Sequence, residues 1–203
     1  MVKAPWLRAR RRVVVLAAAV VAGALLAVVL LFVLPGGGSS NITYLDSTDR
    51  AVLYTAGHRP LAPDFTGTTL TGSRMSFSSY RGRVVVVNFW GSWCDPCRAE
   101  APALGVAAQQ YRPSGVAFLG VDVRDTTASA EAFAHNFGIT YPSVSDPSLL
   151  ITQDFATAVP IAGTPVTLVV DRTGHIAGAV FGQASYAELN TILARVTGTG
   201  SSR

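Results

Sequence analysis

The chain has 203 residues and two cysteines, three positions apart in Trp93-Cys94-Asp95-Pro96-Cys97. A strongly apolar run, residues 84–90, stands just before them, and the pattern that follows predicts a helix opening at residue 94. The unpaired N–H groups and partial positive charge of a helix N-terminus stabilise a thiolate. Cys94, expected at the exposed first position, is therefore the predicted nucleophile. Cys97, one turn in, is placed to attack a mixed disulfide held on Cys94 and release the partner. Pro96 stiffens the turn between them.

Two other uses of such a pair compete with thiol–disulfide exchange. A zinc site needs four ligands, but no third cysteine exists and His58, His135 and His175 are scattered. A purely structural disulfide across two residues closes too short a loop to stabilise much. Redox chemistry remains, with the Cys94–Cys97 pair itself as the active group and no metal or cofactor expected. Disulfide chemistry is at home outside the cytoplasm.

The surrounding pattern predicts an α/β domain. Strands are expected at 84–90, 116–123 and 142–145, with a hairpin of 166–171 and 175–181 about a tight Asp171-Arg172-Thr173-Gly174 turn. Helices are expected at 94–111, interrupted at Pro102, at 126–137 with Gly138 as C-cap, at 148–155, and at 185–196. In the last, Ser185 and Glu188 have capping-box spacing. This order gives a mixed sheet with helices on both faces.

Charge places the domain. Lys3, Arg8, Arg10, Arg11 and Arg12 supply five of the 16 basic residues, and the rest of the chain carries 11 basic against 12 acidic ones. The basic excess is thus an N-terminal tag, and without a basic stripe interleaved with aromatics a nucleic-acid partner is not expected. Residues 13–34 form an apolar run of 22 residues without a charge, long enough for a bilayer core of about 30 Å. The positive-inside rule keeps residues 1–12 cytoplasmic and sends the rest outside. The run exceeds the apolar core of a cleaved signal and lacks an Ala-x-Ala site, so it is read as an uncleaved anchor. Residues 35–60 read as linker and 61–199 as the catalytic domain.

Asn88-Phe89-Trp90-Gly91-Ser92-Trp93-Cys94-Asp95-Pro96-Cys97-Arg98-Ala99-Glu100-Ala101-Pro102 resembles the active-site stretch of membrane-tethered thiol–disulfide oxidoreductases of the TlpA/ResA kind. These belong to the thioredoxin superfamily and are related to the AhpC/TSA redoxins. Ala62-Pro63-Asp64-Phe65 resembles the family's opening motif, Arg81-Gly82-Arg83 its basic turn, Phe137-Gly138-Ile139 with Tyr141-Pro142 the end of its inserted helix, and Gly163-Thr164-Pro165 its cis-proline loop. The resemblance implies a thioredoxin-like fold with one N-terminal transmembrane helix. It implies a cis Pro165, with Thr164 offering backbone hydrogen bonds to a substrate strand. It also implies that Glu100, on the same helix face as Cys97, accepts the Cys97 proton. The alternative for Glu100 is a solvated residue near the helix N-terminus.

Trp93 is expected to shield the cysteines and offer apolar surface to a partner, and Trp90 is equally suited to core packing. Asp95, beside the nucleophile, opposes the helix end by raising the thiol's pKa. The resemblance further implies protein disulfide or dithiol clients, apocytochrome c among them, and a membrane protein as electron donor. Two other functions compete. A peroxiredoxin-like peroxide reductase needs a threonine three residues before its peroxidatic cysteine, but Gly91 stands three before Cys94 and Cys94 three before Cys97. A metallochaperone or binding module would want Met, His or Cys near the motif, and neither Met1 nor Met75 is close.

Overall fold

The structure, a computed structural model, describes residues 41–198. The basic tail at 1–12 and the apolar run at 13–34 lie outside the described residues. Among the described residues no helix is long and apolar enough to cross a membrane.

The described residues form nine strands and four α-helices. In order they are β1 (Ile42–Tyr44), β2 (Ala51–Tyr54), β3 (Thr66–Thr68), β4 (Arg74–Ser76), β5 (Val85–Trp90), α1 (Asp95–Tyr111), β6 (Ala117–Val123), α2 (Thr127–Asn136), β7 (Ser143–Asp146), α3 (Leu150–Ala156), β8 (Val166–Val170), β9 (Ile176–Phe181) and α4 (Tyr186–Thr197). Seven strands form one sheet in the order β1-β2-β9-β8-β5-β6-β7, and β3 and β4 pair separately. The β5–β6–β7 half is parallel, and β8 turns antiparallel to both β5 and β9. The expected mixed sheet is present, and this is a thioredoxin-like fold.

The apolar run of β5 follows from its position at the centre of the sheet, because a strand covered on both faces has no polar side. Val85, Val87 and Phe89 enter one core with Phe65, Phe77, Ile151 and Phe155. Val84 and Val86 enter the other with Leu104, Ala107, Leu189, Ile192 and Leu193 of α1 and α4. Asn88, on this second side, is a buried polar exception.

Three expectations change. Residues 35–60 do not read through as linker. Asn41 onward belongs to the domain, where β2 pairs antiparallel with β9 and β1 with β2. All four β2 residues are buried. Their short AVLY stretch carries no turn signal or alternation by itself, and only pairing with β9 makes it a strand. The helix is also unbroken at Pro102, which lies within α1. Proline there removes one backbone hydrogen bond at a cost of about 3 kcal/mol, while Cys97, Glu100, Ala101, Leu104, Ala107 and Tyr111 are all buried along the helix. Packing outweighs the local defect. Finally, α3 begins at Leu150, two residues later than expected. Its first turn is capped by Asp146 of β7, which accepts from Ile151 N, Thr152 N and the Thr152 hydroxyl at 3.2, 2.9 and 2.8 Å. The Ser185–Glu188 capping box forms as expected.

Leu53 tests the correction at the N-terminal strands. Leu53→Ala should cost about 2–4 kcal/mol in urea denaturation, the range for a truncated core leucine. A linker position would change stability by less than about 0.5 kcal/mol.

Candidate active site

Strand β5 ends at Trp90, and four residues later Cys94 is the N-cap of α1, with extended backbone (φ −93°, ψ 108°). Cys94 Sγ accepts the Cys97 N–H at 3.2 Å. The sulfur therefore takes the place that a serine or aspartate oxygen usually holds at an N-cap, against one of the helix's unpaired N–H donors. This contact stabilises negative charge on Cys94 when the pair is reduced. In the structure Cys94 and Cys97 are joined as a disulfide, with Cα atoms 5.2 Å apart.

The expected exposure of Cys94 is not found. It is 3% exposed, against 1% for Cys97. A helix N-terminus by itself lies open, but here the loop before β8 covers it, and the Thr164 carbonyl oxygen stands 3.7 Å from Cys94 Sγ. The Thr164–Pro165 peptide is cis, and Pro165 is buried. Trp93 is 52% exposed, and its indole N–H donates to the Val123 carbonyl at 3.1 Å. The ring is thus tethered at one edge and open at its face. Trp90 is core: it is buried and stacks on Phe133 with ring centroids 4.7 Å apart. Pro96 lies exposed in the first turn of α1. Asp95 does not act on the nucleophile alone, because Arg98 pairs with it at 2.9 Å and also donates to the Ser92 carbonyl at 2.7 Å.

Glu100 is 1% exposed, which overturns the reading of a solvated helix residue. One carboxylate oxygen accepts from Asn88 Nδ2 at 2.7 Å and the other from the Ala184 N–H at 2.8 Å. Asn88 Nδ2 also donates to Thr167 Oγ1 at 3.0 Å. Burial pushes Glu100 up to about 7, and the two hydrogen bonds only partly oppose it. The carboxyl group sits one turn beyond Cys97 on the buried face of α1.

Sequence reasoning missed Asn88, Thr167 and Ala184. The first two had a visible signal, since each is a polar residue inside an apolar strand. Ala184 acts through its backbone and had none. Among the described residues no group of three or more His, Cys, Asp and Glu side chains is arranged to hold a metal.

Fold and site together define a thioredoxin-like dithiol/disulfide enzyme. The AhpC/TSA family model matches residues 59–179, and the chain belongs to the AhpC/TSA family. It is 38% identical over 122 residues to the thiol-disulfide oxidoreductase ResA of Geobacillus kaustophilus, an alignment covering 60% of this chain and 67% of that protein. A secreted thiol-disulfide isomerase from Corynebacterium glutamicum superposes with a TM-score of 0.68 at 27% identity, covering 73% of this chain and 92% of that one. A DsbF homologue from Corynebacterium diphtheriae gives 0.66 at 28% identity, covering 79% and 96%. The chain is a thiol–disulfide oxidoreductase.

Family membership alone leaves room for peroxide chemistry, but Gly91 argues against it. A Cβ at Gly91 would lie 2.6 Å from Trp93 Nε1 and 3.1 Å from the Val123 carbonyl oxygen. The threonine that peroxiredoxins need has no space there.

The raised value of Glu100 has a consequence for stability. A carboxyl group whose folded-state pKa lies above its unfolded one favours the fold most below the unfolded value, and that contribution is lost as pH rises through the folded one. For Glu100 the window runs from 4.5 to about 7, and the loss is on the order of 2–3 kcal/mol. Glu100→Gln should flatten this part of the decline, measured by urea denaturation between pH 5 and 8.5. The glutamine fits if the Asn88 amide turns over, so that Asn88 Oδ1 accepts from it while the Ala184 N–H keeps its acceptor.

Proposed function

We propose that this enzyme reduces protein disulfides outside the cytoplasm while tethered by the apolar run at 13–34, with its catalytic domain on the outer face of the cell membrane. The buried Glu100 carboxyl, one turn beyond Cys97 on the same helix, is the observation that carries the two-step exchange.

The reaction has two exchanges. The Cys94 thiolate attacks a client disulfide, forming a Cys94–client S–S bond and expelling the first client thiolate. Cys97 then loses its proton and attacks Cys94 Sγ, forming the Cys94–Cys97 disulfide and expelling the second client thiolate. Two electrons pass to the client. The second step needs a place for the Cys97 proton in a region closed to water. Glu100, ionised near neutral pH, supplies it. Once protonated, Glu100 donates to Asn88 Oδ1 after the same amide turn, and the Thr167 hydroxyl can rotate to donate to that oxygen as well. Client binding uses the Thr164 backbone beside Pro165, with the open face of Trp93 and the exposed Pro96 as apolar contact.

Membrane tethering is supported by the basic residues before the 13–34 run, and an extracytoplasmic location also by the likeness to a secreted isomerase of Corynebacterium glutamicum. The resemblance of the active-site stretch to the TlpA/ResA kind implies apocytochrome c as a client and a membrane protein as the source of electrons. The pair itself serves as the redox centre, with no separate cofactor.

Trapping tests the division of roles. Cys97→Ser should accumulate mixed disulfides between Cys94 and its clients, resolved on non-reducing gels and identified by mass spectrometry, whereas Cys94→Ser should accumulate few. Equal trapping by both overturns the assignment. In single-turnover release of a mixed disulfide, Glu100→Gln should slow the second step and flatten its pH dependence between pH 6 and 9, leaving attack by Cys94 less affected. Superimposable release rates would sink the proton-acceptor role. Protease added to spheroplasts should remove the catalytic domain. A soluble mature protein beginning near Gly36 would overturn the tether.

A further inference from the structure

Asp122 lies behind the nucleophile loop, where its carboxylate is buried and neither oxygen accepts a hydrogen bond from the described residues. It stands on β6 opposite Trp90 of β5 and Ser145 of β7 and has no exposed surface. The group within hydrogen-bonding reach is the Asp125 side chain.

Asp125 is placed differently. One of its oxygens accepts the backbone N–H of Ser92 at 2.7 Å and the other that of Thr126 at 2.8 Å. Both Asp125 oxygens thus already serve as acceptors for backbone N–H groups. A hydrogen bond between the two carboxyl groups then requires one proton, and that proton belongs on Asp122. Burial, the nearby Asp125 and the charge of Asp146 together push Asp122 up to about 7.

What Asp125 holds is the approach to the nucleophile. Ser92 and Trp93 directly precede Cys94. Besides the Ser92–Asp125 bond, the Trp93 indole is tied to Val123, and the Ser92 carbonyl accepts from Arg98. The loop between β5 and α1 is therefore moored to the loop that follows β6. We propose that Asp122 is a positioning residue for this nucleophile loop: protonated, it donates to Asp125 and steadies the anion that holds Ser92; deprotonated, it sets two anions side by side and loosens the mooring that seats Trp93 beside Cys94.

The groups around Asp122 fit such a device. β5 contributes the neutral Trp90, and β7 contributes Ser143, Ser145 and the Asp146 carboxylate, whose oxygens cap α3. From the β6–α2 loop come Asp125 and an exposed Arg124. On α2, Glu131 and His135 are exposed. The charges that act on Asp122 are those of Asp125 and Asp146, both negative. Because its folded-state value is raised, Asp122 keeps its proton and the mooring holds until pH rises through about 7, where it is lost.

The oxidised full-length chain separates this titration from that of the thiols, because a disulfide does not titrate. In isotope-resolved NMR spectra between pH 5 and 9, the Ser92 amide and the Trp93 indole N–H should share an inflection near neutral pH. Asp122→Asn, which keeps a donor toward Asp125, should abolish it, and Glu100→Gln should retain it. In Asp125→Asn, which tests the pair should the first variant fold poorly, the Asp122 carboxyl should titrate at lower pH. The rate of dithiothreitol attack on Cys94–Cys97, corrected for the reagent's thiolate fraction, should rise several-fold from pH 6 to 8.5 in the wild type and stay flat in Asp122→Asn. A flat Ser92 signal in the wild type, an inflection that survives Asp122→Asn or disappears in Glu100→Gln, an unmoved Asp122 titration in Asp125→Asn, or a corrected rate indifferent to Asp122 would each overturn the proposal.

Discussion

The Glu100 carboxylate is buried at a point where four parts of the chain meet. It rises from α1, accepts from Asn88 of β5 and from the backbone N–H of Ala184 before α4, and reaches Thr167 of β8 through Asn88. A buried charge without partners would cost several kcal/mol, so this arrangement constrains its surroundings. The carboxyl must find its donors, and finding them sets α1 against the central strand and the start of the last helix. Cys94 and Cys97 are carried on the first turn of that helix. The group that helps seat the helix is thus also the group placed to handle its proton.

The cysteine pair is tuned by opposing influences. The helix terminus and the Cys97 N–H favour charge on Cys94. Asp95 opposes it, but Arg98 pairs with Asp95 and offsets much of its effect. The thioredoxin-like scaffold leaves this balance to a few side chains of the first helical turn, which is how one fold serves both reducing and oxidising roles. Shielding works in the same sense. Cys94 is nearly covered in the disulfide state, while Trp93 presents an open ring face beside it, so access to the sulfur is governed by the Trp93 and Thr164 loops.

Gly91 and Gly120 show how little room the site leaves. The indole of Trp93 passes over Gly91, and a Cβ at Gly120 would meet Ser143 Oγ at 2.2 Å and Trp90 Nε1 at 2.5 Å. Each glycine gives up side-chain volume so that a tryptophan beside the cysteines can lie close to the sheet.

Much of the molecule was legible in the residues alone, for a common reason. The cysteines at the helix start, the Ser185–Glu188 capping box, the buried central strands and the β8–β9 hairpin are set by contacts within a turn of helix, by a two-residue alternation or by a tight turn, and such rules act on neighbours in the chain. The rest depended on which distant segments meet. Glu100 meets Ala184 from 84 positions away, Asn88 meets Thr167 from 79, and Ser92 meets Asp125 from 33. No local rule states whether Glu100 faces water or core, whether residues 51–54 find the edge of β9, whether packing carries a helix through Pro102, or whether Cys94 is covered. Polar residues at 88, 122 and 167 interrupt apolar strands and are visible in the sequence, but their partners are not. The sequence by itself determined the chemistry of the two thiols and the elements that present them. Tertiary packing decided the protonation and access of that site, because burial and long-range hydrogen bonds set pKa values and exposure and exist only once the chain has closed on itself.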